Sequence, residues 1–304
     1  SIDGAITVGS GNISIAESRS STTLALGSAS GAILSDSELD NITITGTLTI
    51  GQATTKGSDG AGTSASTLTS GAITLDELTL GSKKVALVSN STINDDDDTS
   101  TSLTTSGTLT LTSSGNIGDS GGSQGLDLDV GTLSITGTGS GNVIVTEAST
   151  LALGATTVGG TFSGTATTGD ITDSGALAIT GAATFITGAT GSNIVLDGSS
   201  NAFSNSVEMK ADDGTEAFGN ITFVDSAAID LDSSASANGD LFINAGTDGA
   251  ISGDLSITAT TGNITQNIAL TIGGTSSFTT SASNATITLS TDSNALTGAV
   301  SAST

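Results

Sequence analysis

The sequence has no cysteine, proline, histidine, tryptophan or tyrosine, and its only aromatic residues are seven phenylalanines. Without cysteine there is neither a disulfide framework nor a thiolate metal site. The absence of histidine as well removes the conventional nucleophile–base pairs, and no enzymatic activity is expected. Because proline is missing, every residue keeps a backbone N–H to give to a strand ladder. Basic residues number five, Arg19, Lys56, Lys83, Lys84 and Lys210, against 30 acidic ones, for a net charge of −25. That balance repels nucleic acid and anionic membrane surfaces. No apolar run reaches the length of a membrane-spanning helix, so no membrane insertion is expected. The first residues, SIDGAITVGSGNISIAES, lack the basic start and apolar run of a signal peptide. A signal already removed, or an excised portion of a longer chain, is the expectation.

What remains is unusual in the opposite sense. Glycine supplies 42 of 304 residues, roughly twice its usual share. The mean hydropathy of +0.20 is too high for a disordered tract. Such a chain must bury many small aliphatic groups, which short, closely stacked strands can do. Apolar pairs at alternate positions run through it: Leu24 and Leu26, Leu48 and Ile50, Leu109 and Leu111, Leu133 and Ile135, Leu177 and Ile179, Ile194 and Leu196. These predict strands with one buried face. Gly, Ser, Asn, Asp and Thr stand between them as turn residues. Strong helix formers are scarce, so almost no helix is predicted.

An internal repeat sharpens the reading. Residues 160–208 align without a gap on residues 253–301, so that Gly169, Ile171, Leu177, Phe185, Ile194 and Val207 recur as Gly262, Ile264, Leu270, Phe278, Ile287 and Val300. A weaker echo places 141–153 on 219–231, which puts an insertion of about 15 residues within 232–252, as a loop of a stacked repeat tolerates. Coils of about 19 to 24 residues then make the chain an all-β, right-handed parallel β-helix (β-solenoid). The expectation is roughly 13 to 16 coils in one continuous solenoid over 1–304, degenerate over 1–140 and clearer over 141–304. The hand follows from the general rule for parallel crossovers. Neither end of the sequence has a capping pattern, so the end coils offer pairing edges.

Segments 169–211, GDITDSGALAITGAATFITGATGSNIVLDGSSNAFSNSVEMKA, and 262–304, GNITQNIALTIGGTSSFTTSASNATITLSTDSNALTGAVSAST, resemble the β-strand repeats of filamentous-haemagglutinin-like surface proteins. The resemblance is close over roughly 141–304. It implies a long right-handed β-helix at the cell surface, used in adhesion, cell-to-cell contact, or extracellular fibres and sheaths. The amino-terminal secretion domain of that family is not in this sequence.

Candidate sites are few. Asp95, Asp96, Asp97 and Asp98 concentrate four carboxylates that suit Ca2+ through hard oxygen ligands; a solvated acidic loop reads equally from the same run. Asp212, Asp213 and Glu216 form a second such group. Ca2+ is the one cofactor these groups suggest. Six N-x-S/T sequons occur, at Asn12, Asn41, Asn90, Asn220, Asn263 and Asn284. Each is a glycan acceptor by pattern, or Asn at a turn before a Thr-bearing strand. Phe162, Phe185, Phe203, Phe218, Phe223, Phe242 and Phe278 are expected in the core or at coil corners. Lys83 and Lys84 are expected to relieve the charge of a strand edge.

The expected function is that of an extracellular structural protein, a β-solenoid subunit of a self-assembling fibre, sheath or stalk on the surface of a prokaryotic cell. Its partners would be copies of itself end to end, with cell-surface glycans or neighbouring cells beyond them. The alternative is a spacer or passenger segment of a large haemagglutinin-like adhesin.

Overall fold

A computed structural model of the protein describes all residues except 1, 18–20, 30, 56–65, 96–99, 119–124, 138, 212–217 and 245–249. These described residues fall into two compact units, Ser1–Thr146 and Glu147–Thr304. Both are built of short strands. The one helix among the described residues is Asp36–Asp40, five residues long.

In the first unit, strands stack in parallel on strands of later sequence, and three stacks form. Leu48 lies on Ile13, Val85 on Leu48, Leu109 on Val85 and Leu133 on Leu109. Ile73 lies on Leu24, Ile93 on Ile73, Ile117 on Ile93 and Val143 on Ile117. Leu103 lies on Leu78, and Leu128 on Leu103. From Ile73 onward the chain visits the three stacks in a fixed order. It returns to the same stack after 20 to 26 residues, as from 73 to 93, 85 to 109, 78 to 103 and 117 to 143. Before Ile73 the returns lengthen, to 35 residues from 13 to 48 and 49 from 24 to 73. The helix and an antiparallel hairpin, Gln52–Thr55 with Ser66–Thr69, occupy that extra length. This is the physical reason the amino-terminal repeat is hard to see: coil length varies there while the stacked positions do not.

The second unit follows the same plan. Ile171 lies on Leu151, Ile194 on Ile171 and Ile221 on Ile194, while Ala183 lies on Phe162 and Val207 on Ala183. The sequence repeat is a structural one. The pairs Phe162–Ala183, Ile171–Ile194, Ile179–Phe203 and Ala183–Val207 recur in the same register as Leu255–Ser276, Ile264–Ile287, Ile272–Leu296 and Ser276–Val300. The insertion is taken up by a strand out of sequence order. Asp240–Asn244 pairs with Val207–Ala211 on one side and with Ile229–Asp232 on the other, so the stack accepts an additional strand without losing its ladder.

Side chains alternate across each strand, and the inward set is the core. Leu48, Ile50, Leu109, Leu111, Leu133 and Ile135 are wholly buried in the first unit. In the second, phenylalanines from successive levels meet: Phe162 and Phe185 with ring centroids 5.4 Å apart, Phe185 and Phe203 at 6.1 Å edge-on, Phe203 and Phe223 at 5.2 Å. Six of the seven phenylalanines are buried. Phe242 departs from the expectation, because Leu241 and Ile243 take the inward positions of its strand and leave it half-buried on the outer face.

Corners rely on glycine where strands of one stack give way to the next. Gly274 and Gly298 each donate an N–H to the corner glycine of the level before, Gly253 and Gly274, at 2.8 and 3.1 Å. A Cβ at either position would run into that glycine's carbonyl oxygen, so the approach of the two backbones requires its absence.

Candidate functional site

The acidic run predicted from sequence divides. Asp95 ends the strand Ile93–Asp95 and is buried, with its carboxylate accepting from Ser102 Oγ at 2.7 Å. Asp96, Asp97 and Asp98 lie outside the described residues, as do Asp212, Asp213 and Glu216, and Arg19 and Lys56. Lys83 Nζ pairs with Asp40 Oδ1 at 3.7 Å. Lys84 is exposed beside Thr47 on the outer face of its strand.

A different acidic group is assembled by the inserted strand. Parallel pairing sets Asp230 beside Asp240, and with Asp232 the three carboxylates bring oxygens within 4.8 Å of one another. Each is already hydrogen-bonded. Asp230 accepts from Thr265 Oγ1 and Asn267 Nδ2, both at 2.9 Å. Asp232 accepts from Asn267 Nδ2 at 3.2 Å and Ser233 N at 2.5 Å, which holds its carboxyl below the usual carboxylate range. Asp240 accepts from the backbone N–H groups of Ser236 and Ala237 at 3.0 and 2.6 Å. The three could hold a hard divalent cation through oxygen, although their fixed donors already compensate much of the charge. Sequence reasoning missed this group because residues 230 and 240 become neighbours only through the out-of-order strand.

The sequon asparagines have structural work. Asn12, Asn220 and Asn263 are exposed, and their Oδ1 atoms accept the N–H of Thr47, Asp254 and Thr286 one level on, at 2.9, 2.8 and 2.9 Å. Asn41 Nδ2 donates to the Ile2 carbonyl at 2.7 Å, and Asn90 Nδ2 to Ser21 Oγ at 2.8 Å. Asn284 sits exposed in a turn with φ of 65°. Asn220 belongs to a longer column in which Asp170 accepts from Asn193 N, Asn193 from Asn220 N, Asn220 from Asp254 N and Asp254 from Thr275 N, at 2.6–2.8 Å. Its sequence signal is the residue between Gly or Ser and Ile or Leu at the head of a strand, as in 169–171, 192–194, 219–221 and 253–255. These side chains satisfy a backbone donor at each corner, which would otherwise be left unpaired as the chain turns.

A shallow groove of about 260 Å³ runs between two turns of the second unit, lined by residues 173–176 and 197–200. Asp173 is tied down by the N–H groups of Asp197 and Gly198 and by Asn201 Nδ2, at 2.9, 3.1 and 2.9 Å. The lining contains no cationic or aromatic side chain. Its two carboxylates are Asp173 and Asp197, and it offers no aromatic platform for a sugar ring. Asp225, buried behind Phe203, accepts that residue's N–H at 3.0 Å, and burial pushes its carboxyl above the usual range against the pull of its hydrogen bonds.

A family model described as repeats of unknown function (DUF5649) matches residues 140–210 and 218–303, more than half of the chain. The two matched segments begin 78 residues apart (140 and 218) and end 93 apart (210 and 303). Those are the two offsets of the internal repeat. No curated protein and no solved structure matches the chain.

Proposed function

The chain belongs to the DUF5649 repeat family, and from that premise we propose that it is an extracellular structural protein. It would be a right-handed parallel β-solenoid subunit of a fibre, sheath or stalk on a prokaryotic cell surface, acting by assembly and without catalysis. The observation that carries this reading is the repetition of register. Residues 253–301 pair with their neighbours in the same register as residues 160–208 do with theirs, so the chain builds by adding levels to a ladder rather than by enclosing a site. The resemblance to filamentous-haemagglutinin-like repeats supports the surface location. An acidic, proline-free and cysteine-free composition suits a polymer that stays in solution at high local density.

Immunogold electron microscopy of intact cells of the source organism, with antibody to this chain, tests the reading. Label along surface filaments or a sheath is the expected result; label confined to the cell interior would overturn it.

A further inference from the structure

The inserted strand Asp240–Asn244 is entered through the turn 237–240, in which Asp240 N donates to the Ala237 carbonyl at 3.2 Å. The two central residues of that turn are Asn238 and Gly239, the only Asn-Gly pair in the sequence. Gly239 has φ of 91°, a conformation that the second central position of a type II turn requires and that favours glycine. Its carbonyl accepts the N–H of Asp230 at 2.8 Å, which ties the turn to the strand Ile229–Asp232. Among the described residues its own N–H has no acceptor. Asn238 is exposed, and its side-chain amide has no hydrogen-bond partner among them either.

A free backbone nitrogen directly after an asparagine is a nucleophile placed beside an electrophile. It can attack the side-chain amide carbon and close a five-membered ring, with both reacting groups already held on one chain. The attack needs a nitrogen that donates to nothing else and a following residue with no Cβ to crowd the ring. Elsewhere one or the other is missing. Asn12, Asn41, Asn193, Asn220 and Asn263 each precede Ile, which is branched at Cβ. Asn90 precedes Ser91, whose N–H donates to Ser89 Oγ at 3.0 Å. Asp197 precedes a glycine, but the N–H of Gly198 donates to Asp173 Oδ2 at 3.1 Å.

We propose that Asn238 and Gly239 form a site of spontaneous modification, at which Asn238 is converted to aspartate or isoaspartate and the inserted strand thereby loses its hold. The bond from Gly239 N to Asn238 Cγ forms as the Cγ–Nδ2 bond breaks, and the Gly239 proton leaves with Nδ2 as ammonia. Water then opens the succinimide. Addition at Cγ restores the normal backbone and leaves aspartate. Addition at the Asn238 main-chain carbonyl leaves isoaspartate, with the chain running through Cγ and one methylene longer. Water is the sole co-reactant.

Either product puts a carboxylate two residues before Asp240, in the turn that brings this residue to Asp230 and Asp232. Like charges crowded together oppose one another's ionisation and weaken the arrangement that holds them. Isoaspartate also lengthens the backbone between the Asp240 carboxylate and the N–H groups of Ser236 and Ala237 that it accepts at 3.0 and 2.6 Å. Both changes fall on the pairing of Asp240–Asn244 with Ile229–Asp232. The chemistry is the same whatever role the chain has.

The test is to age the purified full chain at physiological temperature and neutral pH. Samples are then unfolded and cut with a protease specific for the amino side of aspartate, which releases residues 232–239 as one peptide. Isoaspartate leaves that peptide intact with an acid in place of an amide, whereas aspartate at 238 adds a cut and yields residues 232–237. Asn238 should react about tenfold or more faster than any other asparagine of the folded chain, and the guanidinium midpoint of the aged chain should fall. Asn238→Gln, whose longer side chain would have to close a six-membered ring, should keep both its peptide and its midpoint over the same period. An intact Asn238 in the folded chain, modification only in denaturant, or a rate no greater than that of the other asparagines would overturn the proposal. So would an aged parent chain whose midpoint equals that of the Asn238→Gln chain.

Discussion

Phe185 and Phe278 are equivalent residues of the repeat, and both are fully buried, yet their surroundings differ enough to predict different losses on truncation. Phe185 lies between Gly164 and Met209 in the ladder and meets two other rings, Phe162 and Phe203. Phe278 lies between Ile257 and Ala302, and among the described residues no ring pairs with it. Removing a phenylalanine from a packed core costs about 3–5 kcal/mol, scaled by the cavity left behind. Each aromatic pair adds about 0.5–1.5 kcal/mol beyond area. Phe185→Ala should therefore destabilise by about 1–3 kcal/mol more than Phe278→Ala. Guanidinium denaturation followed by far-UV circular dichroism measures both, with a shift of midpoint at unchanged slope as the expected form. Equal losses, or the larger loss at Phe278, would refute the argument that the ring series anchors the first copy.

Four further outcomes follow from the same geometry. Ser276 occupies the position of Ala183 in the first copy, and among the described residues its buried hydroxyl has no partner; Ser276→Ala should stabilise the chain by about 1 kcal/mol or more, read as a rise in the denaturation midpoint. Gly181→Ala drives a methyl group into the Gly160 carbonyl and should cost about 1–3 kcal/mol. Gly191→Ala, at a position of positive φ with open space around it, should cost about 1–2 kcal/mol of backbone strain alone. Asp225 binds its proton more tightly folded than unfolded, because burial outweighs its hydrogen bonds. Its contribution to stability is full below the ordinary carboxylate range and is lost as pH rises through the raised value. Asp225→Asn, which keeps an acceptor for Phe203 N, should flatten that part of the profile of denaturation midpoint against pH. The half-buried residues Glu38 and Asp232, whose carboxyls are both lowered by hydrogen bonds, act with the opposite sign and lose their contribution as pH falls.

A level of this chain has little core of its own and is completed by the level on either side, so its stability lies in the contacts between levels. Where the ladder is covered, as at Val207, aliphatic side chains vanish from the surface; where it is open, as at Val300, an identical residue stands half in solvent. The acidic trio and the shallow groove sit on the outside of that ladder, with their carboxylates held by backbone and amide donors.

The sequence by itself determined the strand content, most of the inward residues and the equivalence of the two repeat copies. Alternation of apolar and polar residues specifies which face is buried, and an ungapped 49-residue match between 160–208 and 253–301 makes the two copies pair alike, whatever that pairing is. It also marked Gly, Asn and Asp as turn residues between the strands, the residue types from which the corner column is built. Only the tertiary structure decided where Asp240–Asn244 lies, since a strand that pairs out of order has the same alternation as one that does not. The same holds for the meeting of Asp230 with Asp240 and for the outward turn of Phe242. It decided, too, that Asp95 turns inward to Ser102, because a run of four aspartates carries no alternation of its own to say which carboxylate is buried. Local pattern is written residue by residue, whereas which strand pairs with which depends on all the strands that could meet a given edge.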